Sequence, residues 1–105
     1  MEFQQLEVFV AVVEEGSILR AAERVYRTSP AVCIALRKLE TEIGLPLIDR
    51  SVRNKFFATP FGEVIYAYAR NALNGRREVL KALKELSVYR NRLSGQISLP
   101  VFTKG

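Results

Sequence analysis

Residues 17 to 44, SILRAAERVYRTSPAVCIALRKLETEIG, leave little choice of local fold. Ser17 is a natural helix N-cap, because its side-chain oxygen can accept from an otherwise unpaired amide of the first turn. A short helix over Ile18 to Val25 follows, and its Ala21 and Ala22 are small enough to let another helix cross closely. Tyr26-Arg27-Thr28 makes a turn, Thr28 caps the next helix, and Pro30 falls in its first turn, where a missing N–H does no harm. That helix runs from about Ser29 to Ile43 and stops at Gly44. At ~100° per residue, Val32, Leu36, Leu39 and Ile43 share one side, which packs inward. The opposite side centres on Ile34 and carries Pro30, Arg37, Lys38 and Thr41, with Ser29 and Cys33 on its flanks. Two bases, a hydroxyl and a bare aliphatic group suit a groove of DNA better than water. The stretch reads as a helix-turn-helix whose second helix faces the major groove.

The flanking segments support that unit. Leu6, Phe9, Val10 and Val13 form one apolar stripe on a first helix from about Glu2 to Glu14, ended by Gly16. Residues 45 to 58, LPLIDRSVRNKFFA, carry β-favouring residues around a polar centre and predict a short hairpin, a wing, with a basic tip at Arg53 and Lys55. Phe56 and Phe57 suggest that one face of it completes the core. Thr59-Pro60 then starts a fourth helix that extends to about Arg92, longer than a domain this small needs. Ile65, Tyr68, Ala72, Gly75, Val79, Leu83, Leu86 and Leu93 follow a three-and-four spacing on it, interrupted by Arg90. Such a seam predicts pairing with a second helix, and Gly75 would let the partner's backbone approach. Residues 93 to 105 read as a hinge and the start of a further domain, with Ile97, Leu99 and Val101 alternating as in a strand.

Composition narrows the chemistry. The chain has 105 residues, a net charge of +5 and a pI of about 9.7, which fits a polyanionic partner. Its first fifteen residues hold four acids and no base, whereas Arg20 to Lys55 hold eight bases and four acids, so any basic face comes from the middle and end. With one Cys, one Asp and no His, zinc-site spacings and His-based catalysis are unavailable, and an enzyme is not expected. Neither a signal peptide nor a membrane-length apolar run is present, so the expected compartment is the cytoplasm.

Phe9, Glu15-Gly16-Ser17, Ala21-Ala22, Ser29-Pro30-Ala31, Leu39-Glu40, Gly44, Leu47, Arg50, Thr59-Pro60 and Gly62 stand in the order and spacing of one bacterial family. The chain resembles the LysR-type transcriptional regulators over nearly its whole length, and most closely over residues 1 to 62. The resemblance implies a mainly α fold. Residues 1–59 would be a winged helix-turn-helix of three helices and a short β-hairpin that binds DNA, and residues 60–92 a linker helix that pairs two subunits. It also implies binding of double-stranded DNA at interrupted inverted repeats as a homodimer or tetramer. A small-molecule effector would bind a C-terminal domain absent from this sequence, and no cofactor is expected in this chain. The reading helix departs from the family. Where a glutamine is usual this chain has Ser29, where a second serine is usual it has Cys33, and two commonly polar positions are Ile34 and Ala35.

From the residues themselves, Thr28, Ser29 and the amides that open the third helix are expected at a phosphate, since a helix N-terminus offers unpaired donors and partial positive charge. Arg37 can fork onto a guanine edge or a phosphate. Lys38, next to it, is the lesser candidate for the same contacts. Arg53 and Lys55 are expected on the backbone, and Arg27 is a weaker candidate there. Arg50 would join them there or serve instead as an ion-pair partner of Glu40. Ile34 would meet a thymine methyl. Cys33 reads as a small half-buried side chain rather than a redox switch. A different class of function, a protein-interaction module using the apolar Ile34 with Ala31 and Ala35, stays open at this point.

Overall fold

A computed structural model describes residues 1–93, in the order α1 (Phe3–Glu15), α2 (Ile18–Arg24), α3 (Ser29–Ile43), β1 (Ile48–Asp49), β2 (Phe57–Ala58) and α4 (Pro60–Leu93). The hinge and strand expected past the end of α4 lie outside the described residues. The chain divides into two units, Met1–Asn74 and Gly75–Gly105.

Local signals set the helix limits. Gly16 and Gly44 end α1 and α3 in the left-handed conformation, at φ 67° and 81°, which a residue without Cβ adopts cheaply. Ser17 and Thr28 cap α2 and α3, accepting from the amides of Arg20 and Ala31, each at 3.2 Å. Thr59 starts α4 by accepting from the Gly62 amide at 3.0 Å while its own hydroxyl donates to the Pro46 carbonyl at 2.6 Å. One side chain thus caps a helix and ties it to the strand that enters the wing.

In the first unit, α1 is buried on two sides rather than along the single stripe its spacing suggests. Val8, Phe9, Ala11 and Val12 pack with Ala21, Ala22, Val32, Leu36, Leu39, Leu47 and Ile48. Leu6 and Val10 pack on the far side with Ala69 of α4, flanked by Ile65, Tyr66, Ala72 and Leu73. A helix apolar on most of its circumference belongs between two layers, whereas Val13 is only half-buried and Phe3 is exposed. The wing is smaller than expected. Its two antiparallel strands have two residues each, with Ile48 opposite Ala58 and Asp49 opposite Phe57. Phe56 packs on the core as expected, but Phe57 is half exposed.

The second unit, as far as it is described, is the remainder of α4, and every residue from 75 to 92 is exposed. Among the described residues no helix is long and apolar enough to cross a membrane.

Candidate nucleic-acid interface

The outward side of α3 lies between two grooves. On one flank, Cys33 and Arg37 line an opening of about 330 Å³ with Arg50, Glu40 and Phe56. On the other flank, Ala31, Ile34, Ala35 and Lys38 line an opening of about 220 Å³ with Arg27 and with Gln4 and Gln5 of α1. The ridge between them is uncovered. Pro30, Arg37 and Lys38 are exposed, Ile34 is 49% exposed, and Ser29 and Cys33 are half-buried at the edge. The structure therefore separates residues that the helical wheel groups together. Arg37 faces the wing side and Lys38 the α1 side. Neither has an ion-pair partner among the described residues, and both can reach outward.

At the start of α3 the Thr28 hydroxyl oxygen is engaged by the Ala31 amide, which leaves its hydrogen for an acceptor outside the chain. Tyr26, 95% exposed, holds the turn before it at φ 58°, a left-handed value uncommon for a residue with a large side chain.

The wing tip is a tight turn. The Lys55 amide donates to the Val52 carbonyl at 3.2 Å, and Asn54 takes φ 62°, a conformation asparagine tolerates better than most residues. Arg53 and Lys55 are exposed on it. The Ser51 amide donates to Asp49 Oδ1 at 2.8 Å and so starts the loop, and the Ser51 hydroxyl, with this amide second, holds the Asp49 carboxyl below its usual range. The returning arm is fastened to the α1–α2 turn, where the Phe56 amide donates to the Gly16 carbonyl at 3.2 Å.

Arg50 takes the second of its two expected roles. Its guanidinium meets Glu40 Oε1 at 3.3 Å. Glu40 Oε2 in turn accepts from the amides of Leu47 at 2.8 Å and Ile48 at 3.1 Å. A single carboxylate thus pins the base of the wing to α3, and Arg50 neutralises it. Its charge is spent on scaffold as much as on any ligand.

On α4 the seam residues divide. Ile65 and Ala72 are half-buried against the first unit's own core, so only part of each is left open to a second helix. Phe61, Val64 and Tyr68 are the large apolar side chains left open at that end, 47%, 69% and 50% exposed. In the second unit Val79, Leu83 and Leu86 are exposed as the spacing requires, and nothing lies within 4 Å of a Cβ placed on Gly75.

Two features of this surface carry no signal in the sequence. Glu14, at the end of α1, binds Arg24, Tyr66 and Arg70. Arg20 lines the cleft between α2 and the wing with Lys55.

These elements agree with known proteins. The family model described as "Bacterial regulatory helix-turn-helix protein, lysR family" matches residues 3–63. A probable RuBisCO transcriptional regulator of Cyanidioschyzon merolae is 40% identical over 82 residues, covering 78% of this chain and 27% of that protein. The HTH-type transcriptional regulator BenM of Acinetobacter baylyi is 33% identical over 87 residues, covering 83% of this chain and 28% of that protein. The crystal structure of a BenM DBD/catB site 1 DNA complex superposes with a TM-score of 0.77 at 33% identity, covering 83% of this chain and 96% of that one. The chain spans between about a quarter and a third of the length of these curated relatives. The matched span takes in the helix-turn-helix, the wing and the start of α4, and the chain belongs to the lysR family of bacterial regulatory helix-turn-helix proteins.

Proposed function

We propose that this chain is the DNA-binding part of a transcriptional regulator, acting as a homodimer on an interrupted inverted repeat, with α3 in the major groove and the wing on the adjacent backbone or minor groove. The uncovered ridge of α3 carries this reading. A helix of 15 residues is ~22 Å long, and the major groove admits one along its length. Arg37, Lys38, Arg53 and Lys55, all exposed and without acidic partners among the described residues, supply the positive charge that backbone contact needs. The fold's similarity to a domain crystallised with DNA supports DNA as the partner.

The side chains on the ridge read bases sparingly. Arg37 is the residue there with a planar fork for a base edge, and Ile34 and Ala35 offer only apolar contact. Part of the specificity then rests on backbone fit and DNA shape. The open apolar positions of α4, which include Val79, Leu83 and Leu86, would meet a second copy of the same helix and set the spacing of two half-sites.

Selecting bound sequences from a random duplex pool tests the reading. The expected result is an enriched pair of inverted half-sites bound about a thousandfold or more tighter than random duplex at physiological salt. Failure to retain any duplex would turn the exposed Ile34 ridge towards a protein partner instead.

A further inference from the structure

DNA binding as read above gives Arg20 of the first unit no task. Arg20 on α2 is exposed and has no ion-pair partner among the described residues, whereas Arg24, on the same helix, is held by Glu14 at 2.8 Å and Glu15 at 3.3 Å. Arg20 and Lys55 of the wing both line one open cleft of about 430 Å³, together with Ser17 and Asn54. Glu15 is the acid on the cleft wall, and its charge is already met by Arg24. Both sides of the cleft are fixed. Ser17 anchors the Arg20 amide at 3.2 Å, and the bond from the Phe56 amide to the Gly16 carbonyl holds the wing's returning arm against the α1–α2 turn. Two unpaired cations from separate elements therefore converge on a space that none of the described residues fills.

We propose that Arg20 and Lys55 grip one phosphate of the DNA backbone from two sides, which makes α2 part of the binding surface. The inference rests on the DNA-binding reading. A phosphodiester carries one negative charge and acceptor oxygens that can take charge-assisted bonds from both cations, a forked pair from Arg20 and a point contact from Lys55. Such a contact carries no sequence information. It sets the register of α3 in its groove relative to the wing.

The test uses Arg20→Ala, Lys55→Ala, their double variant and Arg20→Lys, titrated with a duplex of arbitrary sequence over a range of salt. Salt-dependent binding by the parent chain is the condition that the DNA reading holds; a parent that binds no duplex removes that reading and this inference together. Each alanine variant should weaken binding alike on all sequences and lower the slope of log K against log salt by about one. Arg20→Lys should retain the slope. On a tight duplex from the selected pool, each phosphate is then replaced in turn by an uncharged methylphosphonate. At a single position both alanine variants should lose their effect. An unchanged slope in Arg20→Ala while the parent binds normally, or silencing of the two variants at different phosphates, overturns the shared grip and leaves the DNA reading standing.

Discussion

Tyr66 on α4 donates its hydroxyl hydrogen to Glu14 Oε2, at the far end of α1, at 2.5 Å. Arg70 reaches the same oxygen, and Arg24 meets Oε1 at 2.8 Å. A negative charge near the C-terminal end of a helix opposes the helix dipole. Here three donors from α2 and α4 more than offset that. The Tyr66 bond, aided by Arg24 and Arg70 and opposed by partial burial, lowers the Glu14 pKa from 4.5 to about 2. The same bond raises the Tyr66 phenol. Three helices of the first unit are joined at one carboxylate.

That carboxylate predicts an acid-sensitive component of stability. The unfolded chain takes up the Glu14 proton near pH 4.5, the folded chain only near 2. The contribution is whole above about pH 4.5, shrinks as the pH falls towards 2 and is lost below it. Glu14→Gln should cost on the order of 1 kcal/mol at neutral pH, since the arginines are partly solvated. The difference from the parent in urea midpoints should close on acidification through that window. A gap that stays constant from pH 7 to about pH 2.5 would assign the cost to packing rather than to charge.

Gly62 predicts a position where one methyl group is not tolerated. A Cβ there would lie 2.1 Å from the Leu47 carbonyl oxygen, a backbone atom that also accepts from the Thr59 amide at 3.0 Å. Relief requires moving α4 away from the strand that enters the wing. Gly62→Ala should destabilise the first unit by about 3 kcal/mol. Gly75→Ala is the contrast, because nothing lies within 4 Å of the added methyl. In a monomeric chain it should stabilise α4 by up to about 1 kcal/mol through helix propensity alone. Chemical denaturation and helical circular dichroism read both; equal effects of the two substitutions would contradict the close approach at Gly62.

The helix limits were legible because their signals are local. Gly16, Ser17, Thr28, Gly44 and Thr59-Pro60 act within a few residues of themselves, and α3 begins and ends where they place it. What depends on tertiary neighbours was not legible. The double burial of α1 needs α4 on its far side, which the spacing of Leu6, Phe9, Val10 and Val13 does not contain. Apolar residues occupy two adjacent stripes at the start of α4, so spacing alone assigns Ile65 and Ala72 to the open seam although the core covers part of each. The partners of Glu14 on α4 lie more than fifty residues away, and no pattern announces them. The sequence suggests Glu40 and Arg50 as a pair, but not that Glu40 also holds the amides of Leu47 and Ile48. Arg20 looks in the sequence like any solvated base, and only its shared cleft with Lys55 distinguishes it.

Arg37 predicts the position at which sequence is read through a side chain. It is exposed on the wing side of α3, unpaired, and able to present a planar fork to a guanine. Arg37→Ala should reduce discrimination between a selected site and random duplex by roughly 1 to 3 kcal/mol, with a smaller change on random duplex. Equal weakening on both would reduce Arg37 to a phosphate contact.

Arg53 predicts a contribution of the opposite kind. At the tip of the wing it is exposed on a turn pinned by the Lys55 amide, so in the proposed complex it would meet the backbone or the minor groove rather than the groove assigned to α3. Arg53→Ala should weaken binding to selected and random duplex alike and lower the salt slope by about one. A slope equal to the parent's would take the wing tip out of the interface.

Leu83 predicts the oligomeric state. It is 57% exposed, and Val79 and Leu86, at 58% and 63%, stand four residues before and three after it on the same side of α4. A run of large apolar side chains left open along a helix is costly in water unless a second helix covers it, and a self-complementary seam suits a second copy of the chain. A glutamate at this position would place two charges against each other at the centre of such a pair. Leu83→Glu should therefore sediment as a monomer and bind an inverted repeat no more tightly than a single half-site. Lys84→Glu, a charge reversal on the polar side of the same helix, should leave the assembly intact. Dimers that persist in Leu83→Glu would move the pairing surface off this seam, since two facing glutamates at its centre could not stay paired there.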